Sequence, residues 1–490
     1  MTHSVPSPDG GYPTHHHYSV RTKIIATVGP ASSEPDVMRA LVEAGVDVFR
    51  INMAHGDRDF HDRMVSQIRQ ISKQLKRPLA VLVDLAGPKI RLGELAVDPL
   101  RCDVGQELEI VRAESAASPN QLPCPIPEVV AELQPGQSII LADGTVLLEV
   151  TQRTETVIRA RVVSGGIVRS RQGMNLPHTR LSLSALTDED RRDVQWAATR
   201  EVDFLGMSFV RSAEDILQLR SLLDSLGSPA LIVAKIEKRE AMDALESIVS
   251  VADAVMVARG DLGVELDIAE TPIAQKKIIA ACRRYAKPVI VATQMLESMQ
   301  HSRRPTRAEV SDIANAILDG ADACMLSAET AVGDFPVEAV RMMNRVMAVT
   351  EQLLLNTPAE PPLPVELTGV HPITSALTYA AGRVAEQIDA ALVVIATRSG
   401  NTARVKSKQR DLVPTIGVSD SPVALRRMCL YWGIFPLEEA PVNDGPQLRT
   451  FIEQWGKTVG LLRPGDRTVF VTGTNFVPVA HNLLVVHEVS

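Results

Sequence analysis

Short apolar runs alternate with amphipathic segments from Thr22 to about residue 355, and this alternation constrains the fold more than any other feature. The segments between the runs repeat apolar residues every three or four positions, as helices with one buried face do. Strands that are apolar on both faces are typical of parallel sheets covered by helices. Eight strand–helix units therefore predict an α/β fold, a closed (β/α)₈ TIM barrel. The runs are 22–29, 47–53, 79–85, 203–210, 230–237, 253–260, 288–293 and 322–329.

The alternation breaks once, where strands and turn dipeptides follow each other without a convincing helix. We interpret this region as a small all-β lid domain inserted after the third barrel strand. A proline-rich linker leads to a second, shorter alternation, which predicts an open-sheet α/β domain. The predicted parts are a disordered tail at 1–21, the barrel at 22–87 and 178–355, the β-barrel lid at 88–177, the linker at 356–370 and a C-terminal regulatory α/β domain at 371–490.

Composition and charge exclude several classes of protein. The net charge of −8 argues against binding to nucleic acid or acidic membranes. No apolar run approaches the roughly 18–20 residues that span a bilayer. The first residues lack the apolar core of a secretory signal, so we expect a cytoplasmic protein, with the histidines 15–17 in the disordered tail. The five cysteines have no CxxC spacing, which favours reduced thiols over disulfides or a zinc site.

Polar residues stand at the ends of the predicted strands from the second to the eighth. Functional residues of a (β/α)₈ barrel gather at the C-terminal ends of its strands, so we expect these side chains to converge. One polar strand end would mean little, but a continuous series of them predicts a site. The residues are Arg50 and Asn52, Asp84, Ser208, Lys235 and Glu237, Arg259 to Asp261, Thr293, and Ser327 and Glu329.

The types of these residues suggest phosphoryl transfer. The carboxylates of Glu237 and Asp261 suit Mg²⁺, which prefers oxygen ligands. Lys235 is placed to neutralise a phosphoryl group in transfer, and Arg50 to grip phosphate. The turn at 259–261 offers backbone N–H groups to an anion. Thr293, Ser327 and Glu329 are candidates to carry a proton. The chain contains no GxxxxGK[ST] motif, so nothing supports a P-loop kinase.

Several motifs resemble those of the pyruvate kinase family, over essentially the whole chain from Thr22. They include TKIIATVGPAS (22–32), AKIE (234–237), MVARGDLGVE (256–265), ATQMLESM (292–299) and PTRAEVSDIANAILDGADACMLSAET (305–330). The resemblance implies a barrel with an inserted lid and a C-terminal α/β domain, usually in a homotetramer. It also implies transfer of a phosphoryl group from phosphoenolpyruvate to ADP, giving pyruvate and ATP in glycolysis. Mg²⁺ is the implied cofactor, with Mn²⁺ as an alternative.

The resemblance assigns roles to residues that match the family's motifs. Glu237 and Asp261 would bind Mg²⁺, Lys235 would stabilise the transferring phosphoryl group, and Arg50 would hold phosphate. Gly260, Asp261 and Thr293 would bind the acid, and Thr293, Ser327 and Glu329 would take part in protonating the enolate. The positions implied for the nucleotide are Thr27, Pro30, Asn52, His55, Arg91 and the lid residue Asp143.

The chain departs from the family at its usual potassium site. Asn52 and Asp84 are kept, but Ala54 and Leu85 replace two oxygen ligands, and Lys89 replaces a glutamate. We expect the ammonium of Lys89, beside Asp84, to supply the charge of the missing ion. This interpretation places the chain with the potassium-independent members and predicts that K⁺ is not required. The alternative is that Lys89 projects into solvent.

Two further regions differ from relatives. In the lid, Gln172, which is next to Arg171, replaces a lysine. Near the nucleotide, Phe60 replaces a tyrosine. In the C-terminal domain, the segment TRSGNTA (397–403) stands where relatives have a phosphate-binding loop, with Asn401 in place of arginine. Residues 472–479 also lack a glycine-rich run. We expect either a phosphorylated effector such as a sugar monophosphate or AMP, or none. The candidate effector residues are Thr397, Ser399, Gly400 and Thr402.

Two other functions are alternatives. A Mg²⁺-dependent barrel acting on enolpyruvate or oxaloacetate as a lyase or aldolase would use a similar enolate site, but it needs no nucleotide lid. A metabolite sensor that kept the fold would need no catalysis, and the intact set of Lys235, Glu237, Asp261 and Thr293 argues against it.

Overall fold

The structure is a computed structural model that describes residues 20–177, 179, 182–355, 370–473 and 482–490. Its centre is a closed barrel of eight parallel strands, as the sequence predicts. In this described part of the chain, no helix combines the length and the apolar character needed to cross a bilayer. The predictions for the histidines 15–17 and for most of the linker lie outside the described residues.

The barrel begins with three strands and two long helices. β1 is buried along its whole length, which explains its apolar sequence. The first helix ends at Gly45, whose φ of 126° favours glycine. The second begins after Asp57, whose side chain accepts a hydrogen bond from the N–H of Phe60. These elements are β1 (Lys23–Thr27), α1 (Pro35–Ala44), β2 (Val46–Asn52), α2 (Arg58–Leu75) and β3 (Ala80–Asp84).

The inserted region forms a curled six-stranded sheet and a two-stranded sheet around an apolar core of their own. The sequence pattern suggested no helix here, and α3 is a correction. Pro127 opens α3 as the first helical residue, where the missing N–H of proline costs nothing. The elements are β4 (Leu100–Cys102), β5 (Glu107–Val111), β6 (Gln121–Pro123), α3 (Pro127–Glu132), β7 (Ser138–Leu141), β8 (Val146–Arg153), β9 (Val157–Ser164), β10 (Gly166–Val168) and β11 (Met174–Asn175).

The barrel resumes after the lid and closes when its last strand pairs with β1. Because the lid is an insertion, β3 pairs directly with the next barrel strand, β12. The elements are α4 (Asp188–Ala198), β12 (Phe204–Met207), α5 (Ala213–Ser225), β13 (Leu231–Ile236), α6 (Arg239–Asp243), α7 (Leu245–Val251), β14 (Ala254–Ala258), α8 (Arg259–Glu265), α9 (Thr271–Arg284), β15 (Val289–Ala292), α10 (Arg307–Asp319), β16 (Ala323–Leu326), α11 (Ala328–Ala331) and α12 (Pro336–Leu355).

The C-terminal region is a five-stranded open sheet in the order β19-β18-β17-β20-β21. Four strands are parallel, and the last runs antiparallel to β20, an edge strand that the sequence analysis did not identify. The elements are α13 (Pro372–Gln387), β17 (Leu392–Ala396), α14 (Asn401–Lys408), β18 (Thr415–Val418), α15 (Pro422–Met428), β19 (Ile434–Leu437), α16 (Gly445–Thr458), β20 (Arg467–Thr472) and β21 (Leu483–Glu488).

The C-terminal domain closes the end of the barrel opposite the candidate site. Apolar side chains inside the barrel form one continuous cluster with residues such as Met428 and Tyr431. Charged contacts cross the same boundary, because the fully buried Asp322, which precedes β16, pairs with Lys408 and Arg410. The floor of the barrel is therefore covered, and the C-terminal ends of its strands face the lid.

Candidate active site

Three of the residues predicted from the strand ends, Asp84, Ser208 and Glu237, lie around one buried ammonium group, that of Lys235. The Nζ atom of Lys235 lies 2.9 Å from Glu237 Oε1 and 3.2 Å from Asp84 Oδ1, and it donates a 2.6 Å hydrogen bond to Ser208 Oγ. Burial opposes the charge of Lys235, but the two carboxylates outweigh it and raise the pKa of Lys235 above its ordinary value. Lys235 therefore stays charged at neutral pH and faces the mouth of the barrel as a fixed cation.

Asp84 holds the guanidinium of Arg50 as well as Lys235. Arg50 Nε and Nη2 lie 2.8 and 2.6 Å from Asp84 Oδ2, and Nη1 donates to Thr27 Oγ1 at 3.1 Å. Burial alone would raise the pKa of Asp84, but the charges of Lys235 and Arg50 keep it below its ordinary value. Among the described residues, the one partner of Asp84 Oδ1 is Lys235, and the geometry of this ion pair falls short of a hydrogen bond.

Lys89 lies in the site but not beside Asp84, which corrects the predicted pairing. Its Nζ is 3.6 Å from Asp261 Oδ1, and its side chain is 40% exposed. The ion pairs of Asp84 within the described residues are those with Arg50 and Lys235. Those two cations come from β2 and β13 and already pair with the Asp84 carboxylate, whereas Lys89 pairs with Asp261.

The two carboxylates predicted to bind Mg²⁺ are close enough to influence each other. Burial, together with the charge of Asp261, raises the pKa of Glu237, and Lys235 only partly offsets this. Glu237 Oε2 accepts the N–H of Phe209 at 2.6 Å. Within the described residues, no three His, Cys, Asp or Glu side chains converge on one point. Glu237 and Asp261 present carboxylate oxygens, which suit a hard divalent ion such as Mg²⁺ better than zinc.

Thr293 and Gly260, both predicted to bind the acid, are in contact. The N–H of Gly260 donates to Thr293 Oγ1 at 2.8 Å, and that hydroxyl donates to the carbonyl of Ala292 at 2.6 Å. Thr293 has a φ of 69°, an uncommon backbone conformation for a β-branched residue. Arg259 helps to hold it, because its Nη2 donates to the Thr293 carbonyl at 2.6 Å. Strain of this kind occurs mostly where the surroundings fix a functional group.

Glu329 ties the last two barrel strands together at the rim. Its buried carboxylate accepts the N–H of Leu296 at 3.0 Å and the N–H of Ser327 at 2.7 Å. Burial is the main reason why the pKa of Glu329 is raised. The Ser327 hydroxyl has no hydrogen-bond partner among the described residues, so it is open to water or substrate. Among the three candidate proton carriers, Ser327 is the one whose hydroxyl has no hydrogen-bond partner among the described residues.

The residues predicted to contact a nucleotide come from both the barrel and the lid. Thr27 is buried beneath Arg50, whereas Pro30 and His55 are exposed on loops of the barrel. Asn52 Oδ1 accepts the N–H of Ala54. On the lid side, Arg91 pairs with Gly173 in an isolated β-bridge, and Asp143 lies in the turn Ala142–Gly144 after β7.

The candidate effector loop joins β17 to α14. Gly400, at a φ of 87°, precedes the helix, and its N–H donates to the buried Thr397 Oγ1 at 3.2 Å. Ser399 Oγ accepts the N–H of Asn401 at 3.4 Å, and Thr402 is buried in the first turn of α14. The loop is thus a compact turn at a helix start, as the motif suggested.

Some residues that shape the site were missed by the sequence analysis. Gly206, on β12, lies against Asp84, and a Cβ there would be 2.7 Å from Asp84 Oδ1. Lys238 and Glu265 form an ion pair beside the two candidate metal ligands. Both pairs involve residues far apart in sequence, so spacing gave no signal for them.

The comparisons with known proteins agree with this architecture. The family profile "Pyruvate kinase, barrel domain" matches residues 19–340, and "Pyruvate kinase, alpha/beta domain" matches residues 375–487. A pyruvate kinase from Agrobacterium vitis is 41% identical over 461 residues, covering 93% of this chain and 95% of the relative. One from Mycobacterium tuberculosis is 39% identical over 478 residues, covering 96% of this chain and 98% of the relative.

A solved structure is similar over nearly the whole length. The crystal structure of a pyruvate kinase from Cryptosporidium parvum has a TM-score of 0.89 and 31% sequence identity, and the match covers 98% of both chains. Both profiles, the two relatives and this structure carry the name of the same family. The chain therefore belongs to the pyruvate kinase family.

Proposed function

We propose that this enzyme transfers the phosphoryl group of phosphoenolpyruvate to ADP, giving pyruvate and ATP, as a Mg²⁺-dependent step of glycolysis. The observation that carries the proposal is the charged Lys235, buried between Asp84 and Glu237 at the C-terminal end of β13. A fixed cation at that point stabilises the charge of a phosphoryl group in transfer without reorganising water.

The roles of the other residues follow from their contacts. Arg50, fixed by Asp84 and Thr27, grips the phosphate of the substrate. Gly260 and Thr293 receive the carboxylate, and Ser327 relays a proton to the enolate carbon. Glu237 and Asp261 are the residues that would hold Mg²⁺, with Mn²⁺ as an alternative. The bound ion supplies positive charge that neutralises the phosphoryl oxygens.

The lid residues are proposed to act on the nucleotide. Arg91 and Asp143 belong to the lid, and His55 and Asn52 belong to the barrel. Closure of the lid would exclude water, which competes with ADP for the phosphoryl group. A lyase or aldolase would not need a lid that contacts a nucleotide, and a sensor would not need the charged Lys235.

A lactate-dehydrogenase-coupled assay with phosphoenolpyruvate, ADP and Mg²⁺ tests the activity. We expect pyruvate formation that is lost on chelation of Mg²⁺. In Lys235→Met the rate should fall by about a thousandfold, because one preorganised charged donor has been removed. Pyruvate formation that is the same in Lys235→Met would contradict the role of this residue.

We also propose that the enzyme does not require K⁺. Lys89 adds a permanent positive charge at the rim, and Leu85 and Ala54 remove two oxygen ligands. Because Lys89 pairs with Asp261, its charge is proposed to act through the metal-side acid instead of through Asp84. We expect equal rates in potassium and in tetramethylammonium salts. The variant carrying Ala54→Ser, Leu85→Thr and Lys89→Glu should gain a K⁺ requirement. Strong activation of the parent by K⁺ would contradict the proposal.

We propose on the family resemblance that the enzyme forms a homotetramer. We also propose a site for a phosphorylated effector, supported by the resemblance and by the compact turn at the start of α14. The residues of this site are Thr397, Ser399, Gly400 and Thr402. Sugar monophosphates and AMP are the effectors to test. Activation that survives Ser399→Ala with Thr402→Val would remove this site.

A further inference from the structure

A buried ion pair lies beside the two candidate metal ligands. Lys238 Nζ donates to Glu265 Oε1 at 2.5 Å, and the exposed fractions of the two side chains are 18% and 1%. A carboxylate this deeply buried is costly unless it is paired, so the contact with Lys238 is a fixed part of the site. We call Lys238 and Glu265 the loop clasp.

The loop clasp joins the two segments that carry the candidate metal ligands. Lys238 is the next residue after Glu237. Glu265 is the last residue of α8, which also contains Asp261 in its first turn. The clasp therefore connects the end of β13 to the far end of the helix that carries Asp261.

A third segment contributes to the same arrangement. Lys238 Nζ lies 6.0 Å from the centre of the Phe209 ring, at the outer limit of a cation–π contact. The N–H of Phe209 donates to Glu237, and Phe209 has a φ of 54°. In contrast, the side chain of Asp261 is 31% exposed and contacts the ammonium of Lys89, whose side chain is 40% exposed. The position of Asp261 thus depends on the backbone of α8 more than on contacts of its own side chain.

We propose that Lys238 and Glu265 are positioning residues that set the spacing of the Glu237 and Asp261 carboxylates for one divalent ion. The inference rests on the proposed metal site. A divalent ion needs ligand oxygens within a few tenths of an ångström of its preferred distances, so a small shift of α8 weakens binding. Neither clasp residue would touch the ion; their effect passes through the backbone.

The direction of the change in affinity for a divalent ion distinguishes a positioning role of Lys238 from a direct effect of its charge. Removing the Lys238 cation makes the site more negative, and Coulomb attraction alone would then tighten the binding of a divalent cation. If the clasp sets the spacing of the ligands, its removal weakens binding instead. Lys238→Met is therefore a variant for which the two explanations predict opposite changes.

The test measures the Kd of Mn²⁺ for the full chain without substrates, from the electron paramagnetic resonance signal of free Mn²⁺. We expect Kd to rise about tenfold in Lys238→Met and to stay within about twofold in Lys238→Arg, which keeps the charged hydrogen bond. Lys276→Met, which removes an ion pair with Asp319 on the outer helices, is the matched control and should bind Mn²⁺ like the parent. An unchanged or lower Kd in Lys238→Met would overturn the proposal.

A double variant keeps the test valid if Lys238→Met folds poorly. Lys238→Met with Glu265→Leu replaces the ion pair by apolar groups, which often restores stability, and it leaves the net charge of the pair at zero. We expect weak Mn²⁺ binding in this folded variant, and binding like that of the parent would overturn the proposal. If Glu237→Gln binds Mn²⁺ as tightly as the parent does, the proposed metal site itself is contradicted instead.

Discussion

At the scale of single residues, the absence of a side chain at Gly206 makes room for Asp84. A Cβ there would lie 2.7 Å from Asp84 Oδ1, and the carboxylate cannot move freely because Arg50 and Lys235 hold it. We expect Gly206→Ala to lower kcat by at least about tenfold while costing about 1–3 kcal/mol of stability, the usual cost of overpacking. Steady-state kinetics and urea denaturation measure the two effects.

Gly445→Ala is the control for this substitution. A Cβ at Gly445 would have no neighbour within 4 Å, so kcat and the free energy of unfolding should stay close to those of the parent. Full activity in Gly206→Ala would mean that the Asp84 carboxylate is free to shift without consequence.

The residues of the site were predictable from sequence because the ends of parallel strands meet at one rim. The partners of those residues were less predictable. Lys89 and Asp84 are five positions apart, but in the structure Arg50 and Lys235, from other strands, occupy the Asp84 carboxylate. Competition between cations depends on side-chain geometry, which spacing along the chain does not contain.

At the scale of elements, Glu329 joins the ends of β15 and β16. Each of its oxygens accepts one backbone N–H, so Glu329→Gln places an amide NH₂ against a buried donor. We expect a loss of about 2 kcal/mol in the free energy of unfolding, the cost of a buried unsatisfied group. The exposed neighbour Glu297→Gln should change stability by less than about 0.5 kcal/mol. Equal effects of the two substitutions in urea denaturation would contradict this role.

The elements themselves were mostly predictable. Strands buried on both faces, such as β1, have continuous apolar sequences that periodicity detects. The short α3 and the edge strand β21 were not found. α3 has only six residues, too few for a clear helical period, and β21 alternates at a half-exposed edge. Their formation depends on packing against neighbours instead of on local sequence.

At the scale of the whole molecule, the docking of the C-terminal domain depends on buried charges. Asp322 is fully buried between Lys408 and Arg410. We expect Lys408→Met to cost roughly 3 kcal/mol and to separate the unfolding of the two domains, because a buried acid loses a partner. Lys76→Met, which removes an exposed contact with Glu439 at the same boundary, should cost under about 1 kcal/mol. Calorimetry that shows equal losses would contradict this account.

A lysine at the same boundary should make the free energy of unfolding depend on pH in the alkaline range. Burial, followed by the charge of Arg404, lowers the pKa of Lys287 to about 8. Because the unfolded chain then binds more protons than the folded chain between about pH 8 and 10.5, the contribution of Lys287 to stability rises with pH in that window, by up to about 3 kcal/mol. In Lys287→Met this rise should disappear when urea denaturation is compared at pH 7.5 and 9.5. An unchanged pH dependence in the variant would contradict the lowered pKa.

The central claim is that the phosphoryl group passes from phosphoenolpyruvate to ADP. Phosphorus NMR of the full-length enzyme with phosphoenolpyruvate, ADP and Mg²⁺ follows every phosphorus atom in the reaction. We predict that the resonance of phosphoenolpyruvate falls while the γ-phosphate resonance of ATP rises by an equal amount, without added K⁺. Consumption of phosphoenolpyruvate with release of inorganic phosphate and no ATP, or no consumption at all, would contradict it.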